Sequence, residues 1–195
     1  MSHNIWAYRV GAFRAGNGWD SVISLPSANN LAHLIQALEG IGARGQVAKL
    51  AIVVHGDEPG VIRTDPVMNQ VSIFENPVVS GHISSLRDYL EPTAQVLLMS
   101  CIAGAGPRGS HFLRALSTFW PGRTVIGFIT SGEFNPYHFA AGDVFDTGGA
   151  FTGGTVLDRL PRAELMQRRM TPNSASAKWA KNGEIVRLPL AETAH

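Results

Sequence analysis

Two residues in this chain stand where short apolar runs end, and both can carry nucleophilic chemistry. Cys101, the only cysteine, follows Val96 to Met99 (VLLM) and Ser100. His55 follows Leu50 to Val54 (LAIVV) and is itself followed by Gly56. A thiolate is a strong nucleophile, and an imidazole beside it takes the thiol proton or stabilises the anion. In open parallel sheets, function gathers beyond the carboxyl ends of the strands. Each residue directly follows a run that reads as a buried strand, so both emerge at one edge of such a sheet. If the two strands are neighbours, the side chains meet although 46 positions separate them. Gly56 leaves room for a substrate carbonyl, and the amides of Gly56 and Cys101 can donate to a developing oxyanion. A lone cysteine is most often a small core residue, and a lone histidine is most often structural. Their shared placement, with glycines after each, makes the pair a candidate dyad.

The elements that must position them are legible as patterns. Leu50 to Val54, Val96 to Met99 and Thr124 to Ile129 are continuous apolar runs, as expected of parallel strands buried on both faces. Weaker strands are predicted at Ile5 to Val10, Val22 to Leu25 and Glu184 to Leu188. Helical spacing predicts helices over 29–40, capped by Asn29-Asn30, over 80–90, and over 112–119, capped by Ser110. A hairpin is predicted from Gly60 to Thr64 with Gln70 to Phe74. Residues 131–160 read as a long surface loop, and 170–180 as a second exposed stretch. Strands alternating with helices predict one α/β domain over 1–195. Its expected form is a three-layer α/β/α sandwich on a mainly parallel sheet of about six strands, with helices on both faces.

The segments AKLAIVVHGDEPG and AQVLLMSCIAGAGPRGSHFLRAL resemble the His-Gly and Ala/Ser-Cys motifs of caspase-like (clan CD) cysteine peptidases. The spacing is close to the roughly 50 residues between His and Cys in that family. The branch containing the bacterial CHAT and gingipain groups is nearer than the animal caspases, which carry Gln-Ala-Cys-x-Gly. Here Met99 stands where their Gln helps hold a P1 aspartate. The resemblance covers about residues 45–130. It implies hydrolysis of a polypeptide substrate through a thioester, with Cys101 attacking, His55 as acid and base, and Gly56 serving the oxyanion. Substrate contacts are expected from Ser100 and from the loop residues Asp57, Ser131, Glu133, Asp143 and Asp146. An acid at the base of the pocket selects Arg or Lys at P1, as in several relatives.

Three other readings compete. Gly104-Ala105-Gly106-Pro107-Arg108-Gly109 matches G-x-G-x-x-G between a strand and a helix, with Glu133 placed to meet a ribose. Against a dinucleotide site, Pro107 removes an amide from the cradle and His55-Gly56 is left unexplained. A nucleophile elbow of the α/β-hydrolase type needs glycines where Met99 and Ala103 stand. A degenerate peptidase fold acting as a protein-binding module accounts for the pattern without chemistry.

Composition sets the bounds. Hydrophobic residues make up 45% of the chain and charged residues 16%, with net charge +1. That supports a packed core and excludes a broad basic footprint for nucleic acid. One cysteine forms no intrachain disulfide, and the histidines show no ligand spacing, so neither a metal nor another cofactor is expected. No apolar run reaches membrane-span length, and the first residues lack a signal-peptide pattern. The expectation is a cytoplasmic protein, with secretion by an uncleaved route left open. A homodimer or a partner protein is compatible with the chain.

Overall fold

The computed structural model describes residues 2–9, 19–134, 144–146 and 161–192. The strands are β1 (His3–Tyr8), β2 (Ser21–Ser24), β3 (Val47–Val53), β4 (Val61–Ile62), β5 (Met68–Asn69), β6 (Leu90–Leu98), β7 (Thr124–Phe128), β8 (Gly132–Phe134), β9 (Val144–Asp146), β10 (Ala177–Lys181) and β11 (Glu184–Arg187). The α-helices are α1 (Asn30–Gly40), α2 (Ser72–Glu75), α3 (Pro77–Arg87), α4 (Gly106–Phe119) and α5 (Arg162–Gln167).

A seven-stranded sheet in the order β11-β10-β7-β6-β3-β1-β2 forms the middle layer. The strands from β7 to β2 run parallel, while β10 pairs antiparallel to β7 and β11 antiparallel to β10. The chain is therefore α/β, with a mainly parallel mixed sheet flanked by helices in a three-layer α/β/α arrangement. The strands that end before His55 and Cys101 are adjacent, and β6 is the middle strand of the seven.

Side-chain alternation divides the core. Leu50, Ile52, Val96, Leu98 and Val125 point to one face, where they meet Leu31, Leu34 and Leu38 of α1, Ile83 and Leu86 of α3, and Phe112 and Leu116 of α4. Ala51, Val53, Leu97, Ile126 and Phe128 point to the other face, with Trp6, Val144 and Met170. The three long helices thus share one face, contrary to the expectation that they divide between both. The reason is topological. The steps β2 to β3, β3 to β6 and β6 to β7 all advance in one direction across the sheet, so right-handed crossovers lie on one side. On the opposite face, Met170 follows α5 and its amide donates to the Val144 carbonyl at 2.7 Å.

Several local expectations need correction. The sheet has a seventh strand, β10, in the stretch read as exposed; Ala177, Lys178 and Ala180 are fully buried. The predicted hairpin shrinks to β4 with β5, and residues 72–75 turn into α2 because Asn69 and Ser72 bond each other's backbone. Asn29 does not cap α1 through its side chain. Instead Asn30 Oδ1 accepts the Asp65 amide, and Asp65 accepts the Asn29 amide. The third long helix begins at Gly106, so Ser110 lies inside it and donates back to the Gly106 carbonyl. The 131–160 loop falls largely outside the described residues; its described parts include β8 and β9, paired as an antiparallel ribbon.

Candidate functional site

Register places the two motif turns side by side. Leu50 pairs with Val96, Ala51 with Leu97, and Ile52 with Leu98. His55 and Cys101 each stand three residues beyond the Ile52–Leu98 pair, on the same edge of adjacent parallel strands. The turns are joined by Ser100, whose hydroxyl donates to the Val54 carbonyl at 2.9 Å. This side chain is only 2% exposed. Ser100 is therefore a clamp between the turns, and its burial takes it out of the expected contact with substrate.

Gly56 is demanded by that proximity. A Cβ there would lie 2.5 Å from the Cys101 carbonyl oxygen and 3.1 Å from Ser100 Cβ. The crowding is against the Cys101 backbone, where the sequence argument expected a substrate carbonyl. Among the described residues, neither the Gly56 amide nor the Cys101 amide donates a hydrogen bond within the chain. Both are thus available to a carbonyl oxygen seated beside Cys101.

The turn after Cys101 is strained. Ile102 has φ of 50°, a left-handed conformation that a β-branched residue rarely adopts. It is held by its amide donating to the Thr130 carbonyl at 3.0 Å, and by its carbonyl accepting the Ala105 amide at 2.9 Å. The same contact draws the segment after β7 against the turn. Ser131 sits there half-buried, Glu133 lies in β8 opposite Phe145, and Asp146 lies in β9 opposite Gly132. Asp143 lies outside the described residues. The Cys101 thiol is half-buried and donates to the Gly132 carbonyl at 3.7 Å.

On the other side His55 is exposed, and its carbonyl accepts the Arg63 amide at 2.8 Å. Arg63 also grips Asp57 through Nε and Nη2, at 2.9 and 2.5 Å. The hydrogen bond from Arg63 is the largest cause holding the Asp57 carboxyl below the ordinary aspartate range. Asp57 is thereby committed to an internal partner. Arg63 was not singled out in the sequence, because a surface arginine after a two-residue strand has no pattern to mark it.

The glycines after Cys101 serve packing. A Cβ on Gly104 would lie 3.0 Å from the Gly127 carbonyl, and one on Gly109 would collide with the Gly104 backbone. Small residues at these places let α4 approach β7 closely. Four of the loop amides are engaged within the chain: Gly104 donates to Phe128 O, Ala105 to Ile102 O, Gly106 to the Glu192 carboxylate and Gly109 to Ala105 O. Among the described residues, no three His, Cys, Asp or Glu side chains group to hold a metal ion. No helix among them is long and apolar enough to cross a membrane.

No curated protein matches the chain. A family model described as Domain of unknown function (DUF4347) matches residues 9–125, a stretch containing both motif turns and α4. The chain belongs to that DUF4347 family.

Proposed function

We propose that this protein is a cysteine-type hydrolase that cleaves peptide bonds with Cys101 as nucleophile and His55 as acid and base. The observation that carries the reading is the register of the two residues at one edge of adjacent central strands, with two amides beside them that donate to nothing in the described chain. The motif resemblance to caspase-like peptidases supports it. His55 takes the proton of the Cys101 thiol, and the thiolate attacks the substrate carbonyl carbon. The Gly56 and Cys101 amides hold the oxyanion. His55 returns the proton to the leaving amine as the C–N bond breaks, leaving a thioester. Water, deprotonated by His55, then attacks the thioester, releases the acid and restores the thiol.

The Sγ contact with Gly132 makes the described arrangement a resting one. Reaction requires the sulfur to leave that carbonyl and turn toward His55. A reducing cytoplasmic setting fits a single functional thiol. The dinucleotide reading has less support because four of the cradle amides are used internally. The test is digestion of a mixed peptide library followed by mass spectrometry, with Cys101→Ala and His55→Ala alongside. New termini that vanish in both variants are the expected result. Cleavage that persists in Cys101→Ala, or no cleavage of any peptide, would overturn the proposal.

A further inference from the structure

The chain holds one fully buried lysine, and the chemistry above does not use it. Lys178 in β10 is 0% exposed, and its ammonium lies 2.6 Å from Glu192 Oε2. It also donates to Ser110 Oγ at 2.9 Å and to the Gly106 carbonyl at 3.4 Å. The second oxygen of Glu192 accepts the Gly106 amide at 3.2 Å. One ion pair thus joins β10 and the 3-10 turn Leu190–Glu192 to the first turn of α4. Gly106 itself has φ of 58° and closes the turn that begins at Cys101. Lys178 is taken wholly out of water while the Glu192 side chain stays 27% exposed, and the cost of desolvating the ammonium offsets much of the attraction between them. The effect of the pair is to fix geometry, and the geometry fixed here is where the nucleophile's turn enters its helix.

We propose that Glu192, acting through Lys178 and Gly106, is a positioning residue for Cys101. This rests on the dyad reading for its catalytic meaning, but the coupling between Glu192 and the Cys101 turn can be measured without it. Glu192 supplies a negative charge to the helix start, where amides and the lysine both favour one. Without it, Lys178 is a buried cation with no carboxylate within reach among the described residues, and the Gly106 amide loses its acceptor. The Cys101–Ala105 turn, already strained at Ile102, is then free to relax away from the aligned position.

The experiment uses the full chain and compares wild type with Glu192→Ala and Glu192→Gln. Two readouts are taken: iodoacetamide alkylation of Cys101, and amide hydrogen exchange of the 101–109 segment. Each is measured in sodium acetate and in sodium chloride of equal ionic strength. The expected result is that both variants slow alkylation about fivefold or more and speed exchange in that segment. Acetate, and not chloride, restores Glu192→Ala, because a small carboxylate fits the vacated space beside Lys178. It does not restore Glu192→Gln, whose side chain still fills that space. If the single variants fail to fold, Lys178→Met with Glu192→Leu removes both charges together and is read the same way, without the acetate arm. Wild-type alkylation and exchange in a folded variant would overturn the proposal, as would equal effects of acetate and chloride on Glu192→Ala. If wild-type Cys101 reacts no faster than a free thiol, the dyad reading fails, and exchange alone decides the coupling.

Discussion

Ser100 Oγ donates to the Val54 carbonyl across the same 46-residue offset that pairs Ile52 with Leu98 and brings His55 level with Cys101. The bond extends the β3–β6 pairing past the end of the strands, so the two motif turns leave the sheet as one unit. Position at this site is set by strand register first and by loop contacts second.

Ser100→Ala removes a buried donor and leaves the Val54 carbonyl without its hydroxyl partner. The expected cost is about 1 kcal/mol of stability, together with slower Cys101 chemistry. Urea denaturation reads the first and alkylation the second. A loss of stability with no change in Cys101 reactivity would mean that the clamp does not hold the turns in alignment.

Gly56→Ala should be more damaging than its size implies. The added methyl meets the Cys101 carbonyl oxygen at 2.5 Å, and backbone must shift to accept it. A loss of about 1–3 kcal/mol is expected, with activity abolished. A variant as stable and active as wild type would show that the turns are not in contact.

Arg63 holds the Asp57 carboxylate, so Asp57 is not expected to set substrate preference. Asp57→Asn should leave the order of preferred P1 residues unchanged across a peptide library. The ion pair also has a pH signature. The folded-state pKa of Asp57 is lowered, so the pair's contribution is present above the unfolded aspartate value and is lost as pH falls through the lower folded value. Both side chains are substantially exposed, so the effect on global stability is small. Protection of the 55–63 amides against exchange, corrected for the intrinsic rate at each pH, should fall in acid in wild type and be insensitive to that titration in Asp57→Asn.

The segment from Cys101 to Phe128 should survive incubation uncut. Its connections are a tight turn, α4 with Phe112, Leu113 and Leu116 fully buried, and a second turn in which Gly122 donates to Asn182. Mass spectrometry of wild type beside Cys101→Ala tests this. A Cys101-dependent cut between Gly104 and Arg123 would contradict the single-chain form.

The strands that end before His55 and Cys101 were legible because Leu50 to Val54 and Val96 to Met99 are apolar without interruption, as strands buried on both faces are. The glycine after His55 was legible as necessary, although its reason is the Cys101 carbonyl rather than a substrate. What stayed hidden depends on partners distant in sequence. Ala177–Lys181 reads as two lysines among two alanines and a tryptophan, and nothing local reveals that Lys178 is buried opposite Glu192. Ser100 looked like a substrate contact because the direction of a side chain beyond a strand end is set by the neighbouring strand. In the G-x-G-x-x-G stretch, Gly104 and Gly109 are in close backbone contact, and close approach of a helix to a strand needs the same small residues as a phosphate cradle.

The pairing of His55 with Cys101 is checked by iodoacetamide alkylation of Cys101 across pH in wild type and in His55→Ala. The wild-type thiol should react near neutral pH faster than a model thiol, whose pKa is about 8.5, and the advantage should disappear in His55→Ala. Equal rates in the two proteins across the pH range would contradict it.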